Sequence, residues 1–371
     1  MQKRITYVIS DIDRAIAFEW ICEQIDKTKF ELSFVLLNDS DSYFEEYLIK
    51  SQINYVRINY KRKLDLPFTL LKLIMYLKKN QTEIVHAHLF NATFLGMIAS
   101  KLCGINKRIY TRHYSTYHHQ YFPNSVKWDK LNNTLATNIV AISDVVKNVL
   151  VEKEKVKLEK ISLIYHGFKL TDFSNKKFEI IENLKKKYNP LNKKPVIGVI
   201  SRHIELKGVQ YIIPAFKELL AKNPNSLLLL FNSIGDYEKE IDKLLIEIPT
   251  GSYRKILFEN EVAFLYNLFD IFIHVPINST IEAFGQTYIE CMASGVPLIA
   301  TKSGIANEIL INRENSVIVD YQNSKEIHDA IELLLNEPLL YTLISNNAKT
   351  TVGERFQLES MIEKLEKLYL M

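Results

Sequence analysis

Short apolar runs alternate with amphipathic stretches along most of this 371-residue chain. The apolar runs predict strands, and stretches such as 68–79 and 92–102 have the apolar spacing of helices. The predicted strands occupy residues 5–9, 32–37, 55–58, 84–88, 108–111, 139–142 and 161–165, and then 196–200, 226–231, 256–258, 271–275, 297–300 and 316–319. Alternation of strands and helices without hairpin signals predicts an α/β fold with parallel, doubly wound sheets.

The alternation is interrupted once, by a Lys-, Asn- and Pro-rich stretch over residues 174–194. Because a chain of this length usually forms more than one core, we interpret that stretch as a linker. The sequence then predicts an N-terminal domain over 1–173 and a second domain over 195–355. Residues 356–371 follow with helical apolar spacing and predict a C-terminal helix.

Composition adds limits on location and partners. Apolar residues make up 47% of the chain and charged residues 24%, as in an ordinary soluble protein. No apolar run approaches the ~18 residues of a membrane span, and the first residues lead directly into a strand, so we expect a cytoplasmic protein. Three scattered cysteines indicate reduced thiols.

The charge is distributed unevenly. Residues 1–190 hold 30 Lys and Arg against 20 Asp and Glu, whereas the remainder holds 17 against 23. A basic first half favours an anionic partner. On charge alone, phosphorylated lipid, a membrane surface, nucleic acid and a merely solvated surface all remain open.

Residues 271–300 predict a strand, a loop, a short helix over 286–294 and a second strand, with Glu282 in the loop and Glu290 on the helix. In a helix, eight residues would separate the two backbones by about 12 Å, whereas glycosidase carboxylates need roughly 5–9.5 Å. We therefore favour two separate contacts with one polar ligand over paired acid–base work, although a solvated surface helix is also possible. An anionic group of that ligand would lie at the helix N-terminus, near the N–H groups of Phe284, Gly285, Gln286 and Thr287.

The segment from Glu282 to Glu290, with Ala293–Pro297 and a turn from Gly304 to Glu308, resembles the E-x7-E signature of family 4 glycosyltransferases. These are retaining, nucleotide-sugar-dependent enzymes of the GT-B fold. The resemblance implies two Rossmann-like domains facing across a cleft, and a C-terminal helix that crosses back to the first. It also implies that Glu290 binds the nucleotide ribose and that Glu282 faces the donor sugar.

Three further segments resemble the family's sites. Arg202 and Lys207 follow a strand and precede a helix, where cations and N–H groups suit a diphosphate. His113 resembles the histidine that approaches the donor sugar. The turn ending at Val262 resembles the turn whose main chain contacts the base, with Asn260 at a position where glycine is usual.

The largest departure from the family is the loop after the first strand, which has Asp11 and Asp13 where a Gly-Gly pair is usual. An Asp-x-Asp pair can bind metal, and so can the histidines at 86, 88, 118 and 119, but no complete ligand spacing is present. We therefore expect no metal and no other cofactor. His118 and His119 are expected in an acceptor-side loop.

The resulting prediction is a retaining hexosyltransferase that uses a nucleotide-sugar donor and a glycan or lipid-linked acceptor, in bacterial-type cell-surface glycan or polysaccharide synthesis. Its catalytic residues would be Arg202, Lys207, Glu282 and His113. We expect contact with anionic membrane at its inner face and no binding of nucleic acid. Two alternatives stay open: a nucleotide-sugar epimerase of the same architecture, and a catalytically silent binding subunit.

Overall fold

The computed structural model describes residues 2–371, apart from the side chain of Lys63, and divides them into two α/β units. Unit 1 runs through Phe168 and also includes Leu358–Met371, whereas unit 2 is Lys169–Gln357. Each unit is built on one sheet in which every pair of neighbouring strands is parallel. Within residues 2–371 no helix is both long and apolar enough to cross a membrane.

Unit 1 contains a seven-stranded sheet in the order β3-β2-β1-β4-β5-β6-β7. Its strands are β1 (Lys3–Ser10), β2 (Phe30–Leu37), β3 (Asn54–Arg57), β4 (Ile84–His88), β5 (Lys107–Arg112), β6 (Asn138–Ala141) and β7 (Ile161–Leu163). Its helices are α1 (Ile16–Gln24), α2 (Tyr43–Lys50), α3 (Leu66–Lys79), α4 (Phe90–Leu102), α5 (Tyr117–Tyr121), α6 (Val126–Leu135) and α7 (Asp144–Asn148).

The C-terminal helix α17 (Leu358–Leu370) belongs to unit 1. Its apolar face joins the core formed with β1, β2 and α1. At its end, Tyr369 hydrogen-bonds to the hydroxyl of Tyr7 at 2.5 Å and to Nδ1 of His86 at 2.7 Å. Apolar spacing and a buried polar contact together hold the end of the chain against the sheet of unit 1.

Unit 2 contains a six-stranded sheet in the order β10-β9-β8-β11-β12-β13. Its strands are β8 (Val196–Ile200), β9 (Leu227–Phe231), β10 (Tyr253–Ile256), β11 (Ile271–His274), β12 (Leu298–Ala300) and β13 (Val317–Ile318). Its helices are α8 (Leu170–Ser174), α9 (Phe178–Tyr188), α10 (Val209–Lys222), α11 (Glu238–Leu245), α12 (Val262–Leu265), α13 (Gln286–Ser294), α14 (Ala306–Ile309), α15 (Ser324–Asn336) and α16 (Pro338–Arg355).

The structure corrects two predictions of local structure. The predicted linker over 174–194 is largely α9, in which Ile181, Leu184 and Tyr188 are buried in unit 2. Its lysines form the solvent face of an amphipathic helix, and a high density of lysines does not by itself distinguish such a helix from a linker. The strand predicted at 256–258 lies instead at 253–256, because β10 is an edge strand and edge strands carry charged residues.

Candidate active site

The predicted site residues of unit 2 follow two strands that are neighbours in the sheet but not in the sequence. Strands β8 and β11 pair side by side, and the chain continues outward from them in opposite directions. Such a switch point leaves a crevice at the carboxyl ends of the strands, where open α/β sheets bind ligands. Arg202 and Lys207 follow β8 and Glu282 follows β11, so the topology brings all three to this edge.

Lys207 and Glu282 form an ion pair, although 75 positions separate them. Gly208 permits this approach because its φ is +73° and a Cβ there would lie 2.0 Å from the carbonyl oxygen of Val275. Burial alone would raise the pKa of Glu282, but the charge of Lys207 and the hydrogen bond from His274 outweigh burial and lower that pKa. The Glu282 carboxylate is therefore ionised at neutral pH.

His274 is a site residue that the sequence did not predict. Its Nε2 lies 3.2 Å from Oε1 of Glu282, and its ring packs edge-on against Tyr288. Burial lowers the pKa of His274 more than Glu282 raises it, so the ring is neutral. Because a carboxylate only accepts hydrogen bonds, the proton is on Nε2. The available signal was a titratable residue at the end of the buried run 271–275.

The loop that carries Glu282 is fastened to the turn after β12. The backbone N–H of Glu282 donates to Oγ of Ser303 at 3.1 Å, and the N–H of Ile305 donates to the carbonyl of Phe284 at 2.9 Å. Gly304 lies between these contacts with φ +58°, and a Cβ there would be 2.7 Å from the carbonyl oxygen of Phe284. The turn around Gly304 therefore positions the loop that carries Glu282.

Helix α13 begins directly after this loop. Its N-cap, Gly285, has φ +91°, and the N–H groups of Gln286 and Thr287 have no acceptor among residues 2–371. Such groups, with the helix dipole, suit an anion. Phe284 contributes only backbone here, because its side chain is buried against Phe356.

Glu290 lies on α13 and accepts a hydrogen bond from the hydroxyl of Tyr266 at 2.7 Å. Burial raises the pKa of Glu290, and the Tyr266 hydrogen bond opposes that rise. The other carboxylate oxygen, Oε1, has no partner within the described part of the chain and can accept from a ligand hydroxyl. Tyr266 was not predicted, because it lies 24 positions before Glu290 on another element.

Arg202 and Val262 are the remaining predicted site residues of unit 2. The guanidinium of Arg202 is exposed, and residues 2–371 provide no ion pair for it. Val262 begins α12, directly after a turn in which the carboxylate of Glu259 accepts the N–H groups of Asn260 at 2.8 Å and Glu261 at 3.2 Å. A side-chain carboxylate thus organises the turn in which the family usually has a glycine.

His113 lies in unit 1, at the end of β5. Its Nε2 is 3.0 Å from Nδ1 of His88, and its ring stacks on His166. Burial lowers the pKa of His113 to about 3 and that of His166 to about 4, so both rings are neutral. Nε2 of His88 is buried without a partner in the described chain. A buried acceptor without a hydrogen-bond partner costs less free energy than a buried donor without one. We therefore assign the proton of His88 to Nδ1, from which it is donated to Nε2 of His113. Because that nitrogen accepts, His113 carries its own proton on Nδ1.

The predicted acceptor-side loop, with His118 and His119, contacts a buried network of charged side chains. Nδ1 of His118 contacts Asp129 at 2.8 Å and Nε2 of His119 contacts Glu154 at 3.1 Å. Arg112 bridges both carboxylates, at 3.4 and 2.6 Å. These two histidines therefore serve to anchor helix α5, which begins at Tyr117.

Asp11 and Asp13 have structural partners. Asp11 accepts from Nδ2 of Asn91 at 3.2 Å, and Asp13 accepts the N–H of Tyr43 at 3.2 Å, at the start of α2. No group of three or more His, Cys, Asp and Glu side chains within residues 2–371 is arranged to hold a metal ion. The absence of a cofactor stays a prediction.

The two parallel sheets and the residues gathered at the β8/β11 switch point define an α/β protein with a candidate ligand site at a sheet edge. Comparison with known proteins identifies its family. Residues 21–172 match the family model described as Glycosyltransferase Family 4, and residues 180–351 match the one described as Glycosyl transferases group 1. The chain belongs to the family 4 glycosyltransferases and is a glycosyltransferase of the GT-B fold.

Individual relatives agree with this assignment. The chain is 29% identical to the capsular polysaccharide biosynthesis glycosyltransferase CapM of Staphylococcus aureus, over 81% of this chain and 80% of that protein. It is 25% identical to the alpha-monoglucosyldiacylglycerol synthase of Acholeplasma laidlawii, over 79% and 76%. The crystal structure of Anabaena Alr3699/HepE in complex with UDP and glucose superposes with a TM-score of 0.86, at 18% identity and full coverage of both chains. The family and fold predicted from residues 282–308 are confirmed, whereas the roles of individual residues stay predictions.

Proposed function

We propose that this glycosyltransferase moves a hexose from a nucleoside-diphosphate sugar to a glycan or lipid-linked acceptor, with retention of configuration, in the synthesis of a cell-surface glycan or polysaccharide. The observation that carries the proposal is the Lys207–Glu282–His274 cluster at the β8/β11 switch point, with Arg202 following β8 at the same sheet edge. The names of CapM and of the alpha-monoglucosyldiacylglycerol synthase support the glycan and lipid acceptors of the proposal. The UDP and glucose in the HepE complex support the donor class.

The cations would receive the diphosphate. Arg202 is exposed and unpaired among the described residues, so it can bind phosphate without first losing a partner. Lys207 is held by Glu282 and lies at the start of α10, where the dipole favours an anion. As the donor arrives, its phosphates would share Lys207 with Glu282. Two cations beside the leaving group stabilise the charge that develops there, and the reaction would need no metal cofactor.

The glutamates would bind different parts of the donor. Glu282 is ionised and fastened to Ser303, and it would accept hydrogen bonds from sugar hydroxyls. Glu290 has one carboxylate oxygen on Tyr266 and one available for the ribose. The N–H groups of Gln286 and Thr287 would face the diphosphate between sugar and ribose.

In the proposed reaction an acceptor oxygen forms a bond to the anomeric carbon, on the face from which the donor phosphate departs. The bond from the anomeric carbon to the phosphate oxygen breaks, and the acceptor proton passes to the leaving diphosphate. The chain supplies positioning and charge stabilisation. His113, protonated on Nδ1, would donate to the donor sugar. We also propose that the basic first half contacts anionic membrane at its inner face, where such an acceptor would lie.

The experiment has two stages. A thermal-shift screen against UDP, GDP, ADP and dTDP sugars identifies the donor, because a ligand that binds only the folded state raises the melting temperature. NMR of the product formed with that donor and an acceptor should then show an anomeric configuration identical to that of the donor. Inversion would refute retention. Release of an altered free sugar from donor alone would indicate an epimerase, and no turnover with any donor would indicate a binding subunit.

A further inference from the structure

Helix α3 of unit 1 has a second apolar face, which residues 2–371 leave largely exposed. Thr69, Leu73 and Leu77 form its buried face. On the opposite side, Phe68, Leu71 and Met75 are 73%, 56% and 62% exposed. At 3.6 residues per turn, these three side chains lie within about 60° of arc. A helix that is apolar on its solvent side as well as its core side marks an interaction surface.

The turn before α3 extends this face. Leu64 is 82% exposed and precedes Phe68 by one helical turn. Asp65, the acidic residue of that turn, is engaged by its own loop, since its Oδ2 accepts the N–H groups of Lys61 at 3.0 Å and Arg62 at 2.8 Å. We call the four apolar side chains at 64, 68, 71 and 75 the α3 stripe.

Cations border the α3 stripe on both sides. Lys72 and Lys79 lie along one border and Lys78 along the other, and all three are exposed. Helix α3 itself contains no Asp or Glu. Long lysine stems can lie along an apolar boundary while their charges reach polar headgroups.

Arg108, by contrast, does not contribute to this positive surface, although it belongs to the basic half. Its guanidinium donates to the carbonyls of Leu135 at 2.7 Å and Ile105 at 2.6 Å. Lys61 is paired with Asp39 at 3.5 Å, so the usable cations of this region are those of α3 and Arg62 of the preceding loop.

We propose that α3 is a membrane-docking helix, which inserts the α3 stripe into the interface of an anionic lipid surface while its lysines bind the headgroups. An apolar stripe bordered by cations is what a helix lying in a membrane interface requires. A second copy of the chain fits poorly, because a symmetric contact would oppose α3 to itself and place lysines against lysines. The loop at 61–62 follows β3, so the N-terminal end of α3, with Leu64 and Phe68, lies at the same edge of the unit 1 sheet as His113.

This inference deepens the proposed membrane contact and rests on the proposed function only in expecting a membrane-borne acceptor. Its test uses the full chain and two kinds of vesicle, phosphatidylcholine alone and phosphatidylcholine with phosphatidylglycerol. Wild type should co-sediment with the anionic vesicles, less so as salt rises. F68S/L71S/M75S should bind them at least about tenfold more weakly, since three large apolar side chains no longer enter the interface.

The control is I246S/L339S, which removes from unit 2 two apolar side chains that are more exposed than those replaced in α3. It should bind as wild type does. K72E/K78E/K79E should lose binding to anionic vesicles, which separates the charge contribution from insertion. Melting temperatures of all variants should stay close to wild type, because every replaced side chain is exposed.

Two vesicle results would overturn the inference: no binding of wild type to anionic vesicles at low salt, or binding of F68S/L71S/M75S as strong as that of wild type. A third would be light scattering that shows wild type as a dimer and F68S/L71S/M75S as a monomer. Nucleotide-sugar binding is measured in parallel by calorimetry and should not change in any α3 variant. Loss of vesicle binding with intact donor binding therefore tests α3 alone. Absence of donor binding in wild type would count against the proposed function and leave the docking result standing.

Discussion

Replacing Gly304 with alanine should impair the site while leaving the fold in place. Gly304 has φ +58°, a conformation that costs an L-residue roughly 1–2 kcal/mol. Its added Cβ would also lie 2.7 Å from the carbonyl oxygen of Phe284 and 2.9 Å from Cβ of Glu282. Ordinary contact needs at least about 3.4 Å, so the Glu282 loop must move by about 0.7 Å.

That displacement sets the expected loss of activity. A misplacement of about 1 Å in a catalytic group can cost on the order of 10²-fold in rate. We expect Gly304→Ala to lower kcat by about 10- to 10²-fold, or about 1.4–2.7 kcal/mol in the barrier. The assay is release of nucleoside diphosphate from the donor chosen in the thermal-shift screen, with urea unfolding to measure stability.

Gly251→Ala is the matched control within unit 2. Gly251 also has a positive φ, +94°, but an added Cβ would meet nothing within 4 Å. It should lose at least as much stability through backbone strain and keep wild-type turnover. Wild-type turnover in Gly304→Ala, or an equal loss of turnover in both variants, would refute the argument that Gly304 positions Glu282.

Further predictions concern charge, role, metal and pH. Lys207→Ala should lower kcat by roughly 10²- to 10³-fold; wild-type turnover would remove it from the site. In calorimetry, Glu290→Gln should weaken binding of nucleoside diphosphate, whereas Glu282→Gln should leave binding nearly intact and reduce turnover; equal losses of affinity would contradict separate roles. Activity should survive EDTA. Loss of activity on chelation that Mn²⁺ or Mg²⁺ then restores would establish a metal requirement. Burial lowers the pKa of His86 to about 3, so the folded state excludes a proton that the unfolded state binds below pH ~6.5. The contribution of His86 to the free energy of unfolding should be complete above that pH and fall by about 1.4 kcal/mol per pH unit towards pH 4. In urea unfolding, His86→Gln should make the free energy of unfolding fall less steeply between pH ~6.5 and pH 4. An unchanged slope against pH would refute this assignment to His86.

Most of the fold could be predicted from local pattern. Strands β4 and β8 and helix α13 were predicted to the residue, because apolar runs and glycine caps are local signals. The prediction of a linker over 174–194 was wrong for a reason that is also local. Lysines dominate α9, but Ile181, Leu184 and Tyr188 recur among them at helical spacing.

The sequence by itself determined which segments form strands and helices, the family through residues 282–308, and the basic character of the first half. Only the tertiary structure decided which residues complete the site. His274 and Tyr266 meet Glu282 and Glu290 through the pairing of strands and the packing of α13, and neither contact has a local signature. The same holds for α3, whose pattern predicts a helix without telling which apolar face is covered. Periodicity records how side chains are spaced along an element, whereas neighbours across the sheet and uncovered faces depend on how the elements pack.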